Sequence, residues 1–239
     1  MQPYFFPYLG YFSLIAAVDN WVVFDTSQYT PKTWMNRNRI LHPKEGWQYI
    51  TVPLANSSIS IRTCEARVLD MMQAHSSISG KLTHYRRSAP YFRRVQRLVD
   101  RVFEAMEDDS LVSLNVLGLS LTCEYLGLAF QYQVLSKSGL ELPESLPPGM
   151  WALEICEAMG ASAYVNPIGG RALFDPAAYQ DRGIRLEFLR FHDRPYDTGP
   201  YAYQPGLSVL DALLWNSPEY VVGIVRDSVS IESAAHHPS

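Results

Sequence analysis

The stretch FDTSQYTPKTWMNRNRI (24–40) holds the densest group of residues able to do chemistry in this chain. Asn36, Arg37, Asn38 and Arg39 bring amide and guanidinium donors, Trp34 stands just before them, and Asp25 and Gln28 are close in sequence. Forked hydrogen bonds from such a set hold a phosphate or a carboxylate. A surface loop whose Asn and Asp side chains make turns has the same composition, so residue types alone leave both readings open. On the functional reading Arg37 and Asn38 anchor an anion, and Asp25 is the candidate base or orienting group. Asp211, one helical turn before Trp215, is a second candidate carboxylate.

Two further segments carry candidates. The opening MQPYFFPYLGYF has six aromatic residues, two prolines and no charged side chain. Gln2, Tyr4, Tyr8, Gly10 and Tyr11 would build a pocket there, with rings for stacking and hydroxyls for hydrogen bonds. In NPIGGR (166–171), Asn166, Gly169 and Gly170 form either a phosphate-contacting turn, where missing side chains let backbone N–H groups approach a ligand, or a plain tight turn. No metal site is indicated, because His42, His75, His84 and His192 lack the i, i+4 spacing of helical ligands. Cys64, Cys123 and Cys156 have no C-x-x-C spacing and read as core thiols. No resident cofactor is expected.

The elements that must position these residues follow from hydrophobic pattern. A short helix behind Gly10 leads to WVVFD, a continuous apolar run of the kind that forms a strand covered on both faces. WQYITVPL (47–54) is a second strand. From Ser88, the residues Tyr91, Val95, Leu98, Val99, Val102, Phe103 and Met106 make one apolar stripe and predict the most regular helix of the chain. A further helix starts at Ser110 and stops at Gly127, before the strand AFQYQVL. Beyond the Pro-rich stretch 142–149, helix, strand, turn, short helix and strand alternate to IRLEFLRF, and LSVLDALLWNSPEYVVGIV adds one or two helices. This order predicts an α/β fold: one domain over 1–225 with a Rossmann-like sheet flanked by helices and a helical middle segment, then a flexible tail over 226–239.

Composition limits the partners. The chain has 239 residues, is 47% hydrophobic, and carries a net charge of −4, which argues against bulk attraction to nucleic acid or anionic lipid. No Lys or Arg precedes Lys32, Pro3 and Pro7 break the opening apolar run, and no stretch reaches the length of a membrane span. A cytoplasmic protein without membrane insertion is expected. Arg86, Arg87, Arg93, Arg94, Arg97 and Arg101 cluster around the helix after Ser88. They make either a solvated face or a docking surface for an acidic partner such as a carrier protein.

Taken in order and spacing, MQPYFFPYLGYFSLI, FDTSQYTPKTWMNRNRIL, ITVPL, YRRSAPYF, YVNPIGG and LSVLDALLWNS resemble the WbqC-like protein family of bacteria, from Met1 to about Val225. The resemblance implies a transferase acting on a small molecule in surface-glycan or natural-product synthesis. The favoured chemistry is transfer of glycine or another acyl or aminoacyl group to the amine of an amino sugar or amino sugar nucleotide, with an acyl or aminoacyl carrier protein as a possible partner. The alternatives are a nucleotide-dependent enzyme that activates an acid, and a non-catalytic substrate-binding module. FDTSQY carries one Asp where many members have a pair.

Tyr8-Leu9-Gly10-Tyr11 is also similar in placement to the H-x-G-H turn of nucleotidylyltransferases, with tyrosine in place of both histidines. That likeness implies a pocket floor at a helix N-terminus, with Tyr8 and Arg37 facing one cleft. A Rossmann-like unit carries a first strand ahead of such a turn, whereas Met1 here adjoins it directly. A late start at an internal Met, with a short strand encoded upstream, is therefore expected.

Overall fold

The computed structural model describes residues 1–143 and 145–234. Helix α1 (Leu9–Ala16) follows the aromatic opening and leads to strand β1 (Trp21–Val23). Strands β2 (Arg37–Leu41) and β3 (Trp47–Thr51) form an antiparallel hairpin. Three helices follow: α2 (Met71–Leu82), α3 (Phe92–Glu104) and α4 (Leu111–Leu126). Strand β4 (Tyr132–Val134) pairs in parallel with β1. Then come α5 (Met150–Ala158), β5 (Ala163–Pro167), α6 (Pro176–Asp181), β6 (Arg185–Phe191), α7 (Val209–Trp215), α8 (Pro218–Asp227) and β7 (Val229–Ser233).

The result is a mixed α/β fold. Among the described residues its strands form three small sheets, β1–β4, β2–β3 and β5–β6–β7, in place of one continuous sheet. Met1 lies against β1, where its amino group donates to the Val22 carbonyl and its own carbonyl accepts from the Phe24 N–H. One large core joins the opening segment, α1, the hairpin, α2 to α4, α7 and α8. A smaller core of Leu153, Cys156, Tyr179, Ile184, Leu186 and Phe188 lies between α5, α6 and the third sheet.

Local signals explain most boundaries. The Ser110 hydroxyl accepts from the Ser113 N–H and starts α4, and Gly127, at φ 65°, ends it where the sequence places the stop. The stripe of α3 buries Val95, Leu98, Val99, Val102 and Phe103 as its spacing requires.

Three expectations need correction, and one helix, α2, is added to the expected elements. The segment 36–40 is a strand, not part of a loop: Asn38 and Ile40 face the core while Arg37 and Arg39 face outward, the period of two expected of a half-buried strand. Helix α2 is capped by Asp70, whose carboxylate accepts from the Gln73 N–H, but only Ala74, Ile78 and Leu82 of it are buried, too few for a clear stripe. The helix expected from Ser88 begins at Phe92, because residues 83–87 form a separate 3₁₀ turn. The expected tail is folded as far as residue 234: α8 runs to Asp227, and β7 pairs with β6 as an antiparallel edge strand. Residues 235–239 lie outside the described part.

Candidate functional site

Packing of the aromatic opening depends on donors for its carbonyl groups. Phe6 sits at φ 38°, a left-handed conformation that costs a non-glycine residue energy unless its surroundings enforce it. Asn38, buried on β2, supplies that enforcement through Nδ2, which donates to the carbonyls of Phe5 (3.0 Å) and Phe6 (2.8 Å). The Ser208 hydroxyl donates to the same Phe6 carbonyl at 2.7 Å, and the Val209 N–H to that of Pro7 at 2.8 Å. Deeper in, Asn115 on α4 donates to the carbonyls of Pro3 (2.9 Å) and Met35 (2.8 Å). The Tyr11 hydroxyl closes the segment on itself by donating to the Gln2 carbonyl at 2.7 Å. The opening thus forms a ribbon with Phe5, Phe6, Tyr11 and Phe12 buried and Tyr4 and Tyr8 half-buried, whose carbonyls are met by side chains from β2, α4 and the start of α7.

That ribbon is the floor of a cavity of about 360 Å³, within the size range of small-molecule sites. Met1, Tyr4, Pro7, Tyr8 and Tyr11 of the opening line it, with Trp34, Asn38 and Arg39 from the second stretch and Pro167 and Gly206 from later in the chain. Burial raises all three tyrosine pKa values above 10.0, so each hydroxyl stays protonated at neutral pH. Arg39 Nη2 donates to the Gly206 carbonyl at 3.1 Å, while its buried Nε has no hydrogen-bond partner among the described residues. The guanidinium sits between the rings of Trp34 and Trp47, 5.2 and 5.1 Å from their centroids. A planar, cationic group with an unpartnered donor, in a cavity it shares with three tyrosines, suits an anionic small molecule with polar substituents.

Gly10 is required where it stands. A Cβ there would lie 2.5 Å from the Tyr8 ring and 2.9 Å from Cβ and Cγ of Phe191 on β6. The Tyr8 ring can swing, but the Phe191 Cβ is fixed by its strand. Gly10→Ala is therefore expected to cost roughly 1–3 kcal/mol by overpacking and to lower the melting temperature by several degrees. A melt unchanged from the wild type would show that α1 and β6 are not in this contact.

Tyr4, Tyr8, Tyr11, Trp34 and Asn38 are thus brought together from two separate stretches of sequence. Other candidates are placed elsewhere. Arg37 is absent from the cavity lining and stacks on Tyr49, its Cζ 4.1 Å from the ring centroid. Gln2 Nε2 donates to the Ser27 hydroxyl, Gln28 Nε2 to the Ile59 carbonyl, and Asn36 Nδ2 to the Val52 carbonyl. Asn166 is nearly buried: it accepts from the Tyr164 hydroxyl and donates to the Pro167 carbonyl, and a Cβ on Gly170 would lie 2.3 Å from its Nδ2. Around Gly169 the space is open.

Both candidate carboxylates are buried and hydrogen-bonded outside the cavity lining. Asp25, at the end of β1, accepts from the Ser136 N–H (3.0 Å) and hydroxyl (2.5 Å), and so ties β1 to the chain after β4. Asp211 on α7 accepts from the hydroxyls of Tyr85 (2.6 Å) and Tyr196 (2.7 Å), and Tyr85 in turn accepts from the Leu41 N–H of β2. Burial lifts the Asp211 pKa from 3.8 to about 6 against the pull of those hydroxyls. Met1, Pro7, Pro167 and Gly206 are lining residues that the sequence does not single out, and Arg39 is named there only as a donor beside Arg37, the assigned anchor. Arg39 and Arg37 share a face of β2, and what separates their roles is the loop ending at Ser208, whose N–H reaches the Arg39 carbonyl from far along the chain.

The family model of the WbqC-like protein family matches residues 2–222. The chain belongs to that family. An uncharacterized protein of Mycobacterium tuberculosis is similar to it, 26% identical over 226 residues that cover 92% of this chain and 95% of its own. No solved structure matches. The matched span of this WbqC-like protein contains every residue that lines the cavity except Met1. Among the described residues no helix is long and apolar enough to cross a membrane, and no three His, Cys, Asp or Glu side chains are grouped to hold a metal ion.

Proposed function

We propose that this WbqC-like protein is a small-molecule transferase, and that its cavity holds an acceptor bearing both an amine and an anionic group, such as an amino sugar phosphate or amino sugar nucleotide. The observation that carries this reading is the unpartnered Arg39 Nε in the lining of a cavity that Arg39 shares with three protonated tyrosines. The nucleophile is assigned to the substrate, since among the described residues the cavity lining holds tyrosines, Asn38 and Arg39 and no Ser, Thr, Cys or His. The acceptor amine attacks the carbonyl carbon of an acyl or aminoacyl thioester, the new C–N bond forms, the C–S bond breaks, and the departing thiolate takes the amine's proton. Tyr4 and Tyr8 are the donors assigned to the oxyanion, since burial keeps them protonated. Asp25 and Asp211 act at a distance, by fixing β1 and α7. Parallel pairing in β1–β4 and β5–β6, with Pro167 at the carboxyl end of β5 in the cavity wall, supports a Rossmann-like reading of the sheets.

The test combines a thioester of glycine or another amino acid with a UDP-linked amino sugar, without ATP, and follows the sugar by mass spectrometry. Added mass equal to the aminoacyl group is expected. Arg39→Ala is expected to weaken acceptor binding by roughly tenfold to a hundredfold, the worth of a charge-assisted hydrogen bond to an anion. Binding without transfer over a panel of donors would identify a substrate-presenting module instead. Full affinity in Arg39→Ala would remove the anion from the cavity.

A further inference from the structure

The outer face of the β2–β3 hairpin carries a run of planar side chains that begins in the cavity wall. Antiparallel register sets Arg37 opposite Thr51, Arg39 opposite Tyr49 and Leu41 opposite Trp47, so these pairs share one face of the hairpin. Trp34, a lining residue, lies 5.2 Å from the Arg39 guanidinium, and Arg39 lies 5.1 Å from the Trp47 ring. Trp47 meets Tyr49 edge-on at 4.9 Å, and Arg37 covers Tyr49 at 4.1 Å. The run is thus Trp34, Arg39, Trp47, Tyr49, Arg37, with no break.

Its charge and exposure are those of a binding surface. Trp34 and Trp47 are 38% and 40% exposed, among the most exposed large aromatic side chains of the described residues. Neither Arg37 nor Arg39 pairs with a carboxylate among the described residues, although most ion pairs of the protein use arginine. Lys81 adds a third cation by donating to the Tyr49 carbonyl. Beneath Arg37, the buried Tyr29 hydroxyl has no partner, and the guanidinium counters the rise that burial imposes on that phenol.

We propose that this face is a subsite for a nucleoside diphosphate. The diphosphate lies on Arg39, the base stacks on Trp47 with Tyr49 and its covering Arg37 closing the far end, and the group attached to the diphosphate enters the tyrosine cavity. The order of side chains along the hairpin matches the order of groups in such a molecule: polar substituent, anion, planar base. A flat cation flanked by two exposed indole rings holds a diphosphate and a base together, whereas an extended polyanion would need a longer basic track than two arginines and a lysine. The proposal rests on reading the cavity as the acceptor site and extends it outward.

Calorimetric titration with three probes, UDP, ADP and glucosamine 1-phosphate, separates the two. UDP and ADP are expected to bind the wild type with similar affinity, because aromatic stacking tolerates any base. Trp47→Ala should weaken both by about tenfold or more and glucosamine 1-phosphate by clearly less, because that probe loses only the support the indole gives Arg39, and Trp47→Tyr should restore most of the loss. Arg39→Ala should weaken all three. If glucosamine 1-phosphate binds and neither nucleotide does, the subsite is wrong and the acceptor cavity stands; if none of the three binds, both fall. A Trp47→Ala protein that melts earlier yet binds UDP as tightly as the wild type would show that the run stabilises the hairpin only, which also overturns the proposal.

Discussion

Asp211→Ala is expected to destabilise the protein by about 2–6 kcal/mol, the cost of leaving two buried hydroxyls, those of Tyr85 and Tyr196, without their acceptor at ~1–3 kcal/mol each. For a chain of this size that lowers the melting temperature by roughly 10 °C. The loss reaches the candidate site, since Tyr85 also accepts from Leu41 at the end of β2, the strand that carries Asn38 and Arg39. Asp211→Asn should fold, because an amide can accept from Tyr85 and donate to Tyr196, and it isolates the effect of charge. Burial raises the wild-type carboxyl pKa from 3.8 to about 6, so the native state binds more protons than the unfolded chain between these values. The stability tied to that difference is fully present below about pH 4 and is lost as pH rises through about 6. Relative to Asp211→Asn, the wild type should therefore lose about 3 kcal/mol across that window and change little above it. Urea unfolding of both proteins from pH 4 to pH 8 measures this. A wild type that gains on the Asn variant as pH rises would mean that the tyrosine hydroxyls outweigh burial.

The sequence makes elements with a long apolar period legible and leaves half-buried pieces obscure. The α3 stripe and the cap and stop of α4 depend on local spacing and local hydrogen bonds, so they can be read from the chain alone. Strand β2 cannot, because NRNRIL spells a polar loop until β3 pairs with it and Phe5 and Phe6 lie across Asn38. The aromatic opening divides by residue type: Phe5, Phe6 and Phe12 are core, whereas Tyr4, Tyr8 and Tyr11 line the cavity, a split that aromatic composition alone does not give. The choice of Arg39 over Arg37 is illegible for a different reason. It is made by Gly206 and Ser208, more than 160 residues away, which meet Arg39 and not Arg37. Asp25 and Asp211 show the same limit: a carboxylate after a strand or on an apolar helix looks catalytic until its partners are known, and of those partners Ser136 and Tyr85 come from distant parts of the chain while Tyr196 lies in the irregular loop ahead of α7.

Asn38 is where fold and candidate site meet, and isosteric replacement there gives the sharpest outcome. Both protons of its amide are used, one on the Phe5 carbonyl and one on the Phe6 carbonyl, while Oδ1 accepts from the Arg39 N–H. Asn38→Ala strands the Phe5 carbonyl and the Arg39 N–H at roughly 1–3 kcal/mol each, but the Phe6 carbonyl keeps the Ser208 hydroxyl. Asn38→Asp keeps the shape and reverses the chemistry, since a carboxylate has no proton to give and would sit about 3 Å from two carbonyl oxygens in a buried position. At pH 8 it should therefore be less stable than the alanine variant, despite filling the same space. The introduced carboxyl escapes by binding a proton, so its pKa in the folded state rises above the usual ~3.9, and stability recovers as pH falls toward that value. Melts of the three proteins at pH 8 and pH 5 should give the order wild type, Ala, Asp at the higher pH, with the Asp variant climbing toward or past Ala at the lower one. Acceptor affinity should fall in both variants, because Tyr4 and Tyr8 flank the carbonyls that Asn38 holds. An Asp variant as stable as the wild type at pH 8 would show that the ribbon is held by its aromatic packing and not by this amide, and the left-handed turn at Phe6 would then owe its stability to Ser208 and Val209 alone.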